Sequence, residues 1–158
     1  MGYFVRAFCK NPQPPKIQEL LDAISKVVQV ELDLELCDSD LVDKENWEQF
    51  AYKYDREMNS ILIECNEREG EDSLAEEEID EFLEMVHSLP DSDEKSKVQD
   101  HLKSTAFVIS CRLPTSDITE AGYNANDALL AFLEEHYAGL IQADGEGFYA
   151  GDEIILPE

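Results

Sequence analysis

Hydrophobic and polar residues alternate without a break over residues 28–36. The even positions are apolar and the odd positions are polar: Val28, Val30, Leu32, Leu34 and Leu36 against Gln29, Glu31, Asp33 and Glu35. A two-residue period places alternate side chains on opposite faces of a strand. The pattern predicts a half-buried strand over 28–36 with the carboxylates of Glu31, Asp33 and Glu35 in a row on its outer face.

Shorter patterns predict the other elements of the first third. Residues 3–9 are mostly apolar and aromatic, which favours a strand, and Pro14 stands where prolines often begin helices. Two further strands, at 47–54 and 60–65, are predicted to form a hairpin with a longer loop. The helix after Pro14 carries its apolar residues at helical spacing, at Ile17, Leu20, Leu21 and Ile24.

The middle of the chain is acidic and helical. Ser73 with Glu76 three residues later is the pattern of a capping box, which predicts a helix that begins after Ser73 and ends before Pro90. A shorter helix is predicted over 93–103. The segment 67–104 is therefore expected to be a helical connector.

The last third repeats the order of elements seen in the first. A strand at 105–113 is followed by a helix that ends near Tyr137 and by a strand at 140–143. The dipeptide at Asp144 is Asp-Gly, a strong signal for a tight turn, and a final strand is predicted at 153–156.

Both ends of the chain thus show the order strand, helix, strand, strand. The sequence predicts one domain over 1–158, with βαββ-like halves at 1–66 and 105–158 joined by the acidic connector. This order favours an α+β fold, a mostly antiparallel sheet with helices on one face, of a ferredoxin-like kind. The other face would be partly apolar, so we expect the connector helices or a second copy of the chain to cover it.

Charge restricts the partners of such a fold. The chain has 37 acidic and 12 basic residues and a formal net charge of −25, yet it is 43% hydrophobic with periodic apolar segments, so disorder is not expected. A field of this sign repels nucleic-acid phosphates and anionic lipids. We therefore expect no nucleic-acid partner and no membrane partner, and we expect a basic protein or a second copy of the chain instead.

Cysteines and motifs add little chemistry. Cys9, Cys37, Cys65 and Cys111 are at least 28 residues apart, so none has the spacing of a zinc site or a redox pair. Reduced, buried thiols are expected, which fits a cytoplasmic location. The sequence contains no nucleophile elbow and no phosphate-binding glycine loop, and no cofactor is expected.

The segment 141–148 is the most distinctive part of the sequence, and it reads Ile-Gln-Ala-Asp-Gly-Glu-Gly-Phe. One interpretation is a plain hairpin turn. The other is a loop in which the carboxylates of Asp144 and Glu146, with Asp152 and Glu153 nearby, bind a divalent cation. The match to a calcium loop is poor because bulky aromatic residues follow Gly147. The row at Glu31, Asp33 and Glu35 has two similar interpretations, a binding site for a basic partner or a solvated face.

Two arginines occupy comparable strands in the two halves, at Arg6 and Arg112. Because carboxylates are in large excess, each is expected to form a salt bridge. The alternative is that the two form one anion-binding pair.

The chain resembles a group of uncharacterised bacterial proteins. The resemblance is carried by the C-terminal segment 141–148, by an aromatic, arginine-containing strand at the N-terminus and by the proline-led helix that follows it. It implies a similar arrangement along the chain and no activity.

Two functions are compatible with these observations. The first is a non-enzymatic acidic protein that acts through protein–protein interaction, in an inhibitory, immunity-type or regulatory role. The second is a cation-binding module or a small enzyme that uses the acids of the C-terminal hairpin.

Overall fold

The first strand of each half lies at the centre of a single sheet. The computed structural model describes residues 2–68 and 73–158, and in these ranges eight antiparallel strands follow the order β2-β3-β4-β5-β1-β6-β7-β8. The strands are β1 Gly2–Cys9, β2 Glu31–Leu32, β3 Gln49–Lys53, β4 Ile61–Glu67, β5 Phe107–Pro114, β6 Gly139–Ala143, β7 Gly147–Ala150 and β8 Glu153–Pro157. The helices are α1 Ile17–Ser25, α2 Leu74–His87, α3 Asp93–Lys103 and α4 Glu120–His136, with a 3₁₀ helix at Ser39–Asp43.

The two halves interleave at the central strands. β1 pairs with β5 along its whole length and with β6 on its other side, so it has no partner strand within its own half. After its helix the first half runs to the edge strand β2 and returns inward, whereas the second half runs outward from β6 to the edge strand β8. The similarity predicted for the halves therefore holds for the order of elements and not for their places in the sheet.

The α+β class and the antiparallel sheet are confirmed, and α1 and α4 share one face as predicted. α1 buries the four apolar residues that the sequence placed on one face. The first core, between these helices and the sheet, contains Val5, Ala7, Cys9, Ile17, Leu20, Ile24, Phe50, Ile63, Ile109, Leu129 and Leu133, among others.

The other face of the sheet is covered by the connector helices, which is one of the two kinds of cover expected from the sequence, so the helices are not confined to one face. α2 and α3 pack on the opposite face and form a second core, which contains Phe8, Ile79, Val86, Val98, Leu102, Val108, Leu140 and Phe148, among others. The central strands are apolar on both sides, since Ala7 and Phe8 are both fully buried on opposite faces, and such strands require cover on each side. The apolar face that suggested self-association is therefore largely buried by the connector helices, an arrangement unlike a ferredoxin-like fold. Residues 69–72 of the connector lie outside the described residues.

Basic side chains of the connector hold its two helices to each other. Ser73 Oγ accepts the N–H of Glu76 at 3.1 Å at the start of α2, which is one of the two hydrogen bonds of the predicted capping box; the carboxylate of Glu76 binds Arg68 instead. Arg68 forms an ion pair with Glu76 and donates to the carbonyl of Lys103 at the end of α3. Lys95 Nζ donates to the carbonyl of Leu89 at 2.8 Å and is almost completely buried. These cations satisfy internal acceptors, so they contribute little positive charge to the surface.

The predicted strand at 28–36 is wrong over most of its length. Only Glu31–Leu32 form a strand, and the chain then turns because Asp33 supplies local acceptors. Its carboxylate accepts the N–H of Glu35 at 3.0 Å and the hydroxyl of Ser60 at 2.5 Å. Aspartate often competes with strand pairing in this way. Leu34 is consequently 69% exposed.

The predicted hairpin of the first half is confirmed as β3 and β4, while the C-terminal region contains one strand more than predicted. β7 is only four residues long, begins at Gly147 and ends before Gly151, so its apolar and polar residues are too few to show the alternation of a strand. It continues the sheet from β6 and turns at Gly151 into β8.

The cysteines are free thiols. Cys9, Cys65 and Cys111 are buried in the first core, and burial raises the pKa of Cys65 and of Cys111 to about 12. Cys37 is half-buried and donates to the carbonyl of Asp33 at 3.1 Å. In the described ranges no helix is long and apolar enough to cross a membrane.

Candidate functional site

A cleft of about 410 Å³ lies between α4 and the β7–β8 hairpin, on the face of the first core. We call it the α4 cleft. Its apolar lining comes from Val5, Leu113, Leu130, Ala131, Ile141 and Ala143. Its polar lining comes from Tyr3, Tyr123, Asn126, Asp127, Glu134, Glu146, Tyr149 and Asp152. Four carboxylates and three phenols thus surround an apolar floor, and the described lining contains no lysine, arginine or histidine.

One wall of the α4 cleft is a single face of α4. Tyr123, Asp127 and Glu134 are separated by four and seven residues, which places them in one row along a helix. Leu130 lies in the same row and is buried against the first core. The wall is therefore apolar at its base and acidic at its rim.

At one end of the cleft, two tyrosines hold the carboxylate of Glu146. Tyr149 donates to Glu146 Oε1 at 2.6 Å, and Tyr3 donates to Glu146 Oε2. Burial and this acceptor raise the pKa of Tyr3, and the hydrogen bond to Glu146 raises the pKa of Tyr149. Both phenols therefore stay protonated at neutral pH and keep Glu146 in place.

The hairpin is attached to α4 through Glu134. Its Oε2 accepts the N–H of Gly151 at 2.9 Å, at the turn between β7 and β8. This hydrogen bond fixes the turn, and with it the neighbouring Asp152, relative to the helix.

Asp127 and Asp152 are carboxylates on the two facing walls. Both side chains are exposed at the rim. The pKa of Asp127 is raised, first because its surroundings are partly apolar and second because the charge of Asp152 is near. Like charges on facing walls repel each other, so a positive group between them would be attracted to both.

This repulsion leads to a prediction about stability. A carboxyl whose pKa is higher in the folded than in the unfolded protein costs stability when it is ionised, and the cost disappears as pH falls through the folded pKa. We therefore expect Asp127→Asn to melt at a higher temperature than the parent protein at pH 7, with a difference that shrinks on acidification. Thermal melts from pH 7 to pH 4 measure this. An unchanged or lower melting temperature at pH 7 would contradict it.

Asp144 does not belong to the α4 cleft. It lies two residues before Glu146, yet its Oδ1 accepts from Arg6 Nη1 at 2.6 Å on the opposite face of the sheet. Arg6 also contacts Glu78 of α2 at 2.5 Å, which confirms the expected salt bridge. Gln142 is fully buried there and donates to the carboxylate of Glu158 at 3.1 Å. The segment 141–148 is thus held by a polar network that includes Arg6.

The predicted binding residues fall into separate groups. Glu146 and Asp152 line the α4 cleft, whereas Asp144 is directed to the other face, so the proposed carboxylate loop is not assembled around one point. Glu153 is exposed in β8 beside the cleft. The row at Glu31, Asp33 and Glu35 does not form: Asp33 is buried, and Glu31 contacts Arg56 at 3.3 Å. That region lies at β2, the edge of the sheet opposite β8.

Several residues of the cleft were not predicted from the sequence. Tyr123, Asp127 and Glu134 carry a usable signal, because a tyrosine and two acids share one face of a predicted helix. The sequence does not show that this face meets the hairpin.

Arg112 is exposed, and among the described residues no carboxylate lies within 4.0 Å of it. In the pairing of β1 with β5, Arg112 lies opposite Phe4, and Arg6 lies opposite Ser110, two residues along the strand. Because Arg6 is already bound to Glu78 and Asp144, the two arginines do not form one open anion site.

In the described ranges, no group of three or more histidine, cysteine, aspartate or glutamate side chains is placed to hold a metal ion. The fold and the cleft together define an acidic α+β protein with a tyrosine-rich, carboxylate-lined cleft. Comparison of the chain with family models, with curated proteins and with solved structures finds no match in any of the three.

Proposed function

We propose that the protein is a non-enzymatic binding protein that engages a basic protein partner through the α4 cleft. The observation that supports this most directly is the lining of the cleft, in which four carboxylates and three tyrosines surround an apolar floor without a basic side chain. Concave sites with an apolar base and a few convergent polar groups are the usual form of binding sites. Tyrosine is also among the residues that contribute most to binding energy at protein interfaces.

The distribution of charge over the molecule supports the same function. Arg6, Arg68 and Lys95 are mostly buried and pair with carboxylates or backbone carbonyls, and the formal net charge of −25 leaves a large excess of negative charge on the molecule. A strongly negative surface accelerates association with a basic partner and repels acidic competitors. Long-range attraction would then bring the partner to the molecule, and the α4 cleft would fix its position.

The test uses a fluorescent peptide of alternating arginine and alanine, and the same peptide with glutamate in place of arginine. Anisotropy titrations are run at low salt and at about 0.15 M salt, where charges are screened over about 8 Å. We expect the arginine peptide to bind, to bind more weakly at the higher salt, and the glutamate peptide not to bind. Absence of binding by the arginine peptide at low salt would overturn the proposal.

A pair of matched variants locates the contact. Asp127→Lys/Asp152→Lys reverses two charges in the cleft, and Asp43→Lys/Asp100→Lys reverses two exposed charges elsewhere. We expect the cleft variant to lose at least about tenfold in affinity, which is about 1.4 kcal/mol, and the control less than about threefold. Equal losses would show that binding is a diffuse surface effect and that the cleft is not the contact.

A further inference from the structure

Two of the four carboxylates in the α4 cleft accept hydrogen bonds from groups of the protein, and the other two do not. Glu134 accepts from Gly151, and Glu146 accepts from Tyr3 and Tyr149. Among the described residues no donor or cation lies within hydrogen-bonding distance of the side chains of Asp127 and Asp152. They stand on opposite walls of the same cleft, Asp127 on α4 and Asp152 on the β7–β8 hairpin.

The space between these two carboxylates has a specific chemical character. Below them lies the apolar floor, which includes Val5 and Ile141. Beside them are Tyr149 and Tyr123, and Tyr123 is 44% exposed, so a phenol ring is available at the mouth. A guest that fits all of these groups has one positive charge, donors on two edges, a flat face and an apolar stem.

Resting on the proposed function, we propose that the α4 cleft takes one arginine side chain of the partner, with its guanidinium group between Asp127 and Asp152. A guanidinium is planar, offers five N–H donors and can hydrogen-bond two carboxylates at once. It is also less strongly hydrated than an ammonium and stacks on aromatic rings.

The rest of the arginine side chain fits the same cleft. Its methylene groups would lie on the apolar floor while the charged end stays at the acidic rim, as is common for long basic side chains. A lysine ammonium would fill the charge requirement but has no flat face for Tyr123 and no fork to bridge the walls. The rigid positions of Glu134 and Glu146 keep the ends of the cleft fixed, so the bridge would span Asp127 and Asp152 alone.

The experiment compares three small molecules that differ only at the end of the side chain. N-acetyl-arginine amide, N-acetyl-lysine amide and the uncharged N-acetyl-citrulline amide are titrated into the full chain and followed by NMR chemical shifts. We expect the arginine derivative to bind at least about fivefold more tightly than the lysine derivative and the citrulline derivative not to bind. The shifts should concentrate at the residues of the cleft.

Neutral variants identify the two carboxylates. Asp127→Asn and Asp152→Asn are each expected to weaken binding of the arginine derivative about tenfold, because each removes a charged hydrogen bond. Asp43→Asn, at an exposed site away from the cleft, is expected to change it less than twofold. Thermal melts establish that each variant is folded before titration.

The outcomes separate this inference from the function on which it rests. Suppose that the arginine peptide binds at the cleft. If the arginine and lysine derivatives then bind equally, or if Asp127→Asn has no more effect than Asp43→Asn, the proposal of an arginine pocket is wrong while the proposal of a basic partner is retained. If no basic peptide binds at all, both are wrong.

Discussion

Replacing Gly147 with alanine is expected to destabilise the protein by at least about 3 kcal/mol, a large part of the stability of a typical domain. A Cβ at this position would lie 2.3 Å from the carbonyl oxygen of Leu156 and 2.7 Å from Pro157 Cα, both of which are backbone atoms. The backbone at Gly147 also has φ +129°, which side-chain-bearing residues rarely adopt. The clash would push β8 away from β7, and urea denaturation measures the cost.

Two other glycines are controls for the conformational part of this effect. Gly145 and Gly151 have positive φ angles of 77° and 60°, and a Cβ at either would meet no atom within 4 Å. Gly145→Ala and Gly151→Ala are therefore expected to cost about 1 kcal/mol each. If Gly147→Ala were no worse than these, the close approach of β8 to Gly147 would be contradicted.

Phe8→Ala is expected to cost about 3–5 kcal/mol. Phe8 is fully buried in the second core, where its ring lies 5.3 Å from that of Phe82 and 6.4 Å from that of Phe148. Its removal leaves a cavity between β1 and α2 that the fixed strands cannot close. Phe4→Ala, on the same strand and face but only half-buried, is expected to cost less.

The same variant tests whether residues 1–158 form one domain. Trp47 is the single tryptophan, and it lies in the first core, where its Nε1 donates to the carbonyl of Pro15 at 2.8 Å. If the two cores unfold together, Phe8→Ala shifts the transition seen by Trp47 fluorescence as much as the transition seen by far-UV circular dichroism. An unchanged Trp47 transition would show that the two cores unfold independently.

The sequence was sufficient to predict most helices and strands, but it left open whether the connector helices or a second copy covers the second face of the sheet. Amphipathic helices such as α1 and capped helices such as α2 follow from local spacing, and both were predicted close to their observed bounds. The prediction of a strand at 28–36 was wrong because the carboxylate of Asp33 accepts a hydrogen bond from Ser60, a residue distant in sequence, and the chain turns there. Helices on both faces could have been inferred from the apolar neighbours Ala7 and Phe8, since a strand exposed on one side would not place both in the core.

The candidate site was only partly predictable, for a different reason. Glu146 and Asp152 were predicted as binding residues because the sequence in and after the segment 141–148 is distinctive, and both line the α4 cleft. Asp144 lies in the same segment but binds Arg6 on the other face. The left-handed backbone of Gly145, between Asp144 and Glu146, breaks the strand alternation that would otherwise place both side chains on one face. Asp127 was missed because its role depends on which face of α4 meets the hairpin, and that is set by tertiary packing.

The crossed arrangement of the central strands affects how the chain reaches its native state. β1 pairs only with β5 and β6, and its register joins Gly2 to Pro114. During synthesis β1 therefore stays unpaired until the residues of β5, at 107–114, have left the ribosome. Pairings between such distant segments slow folding. The excess of negative charge also makes incompletely folded chains repel one another, which opposes their aggregation before the sheet is complete.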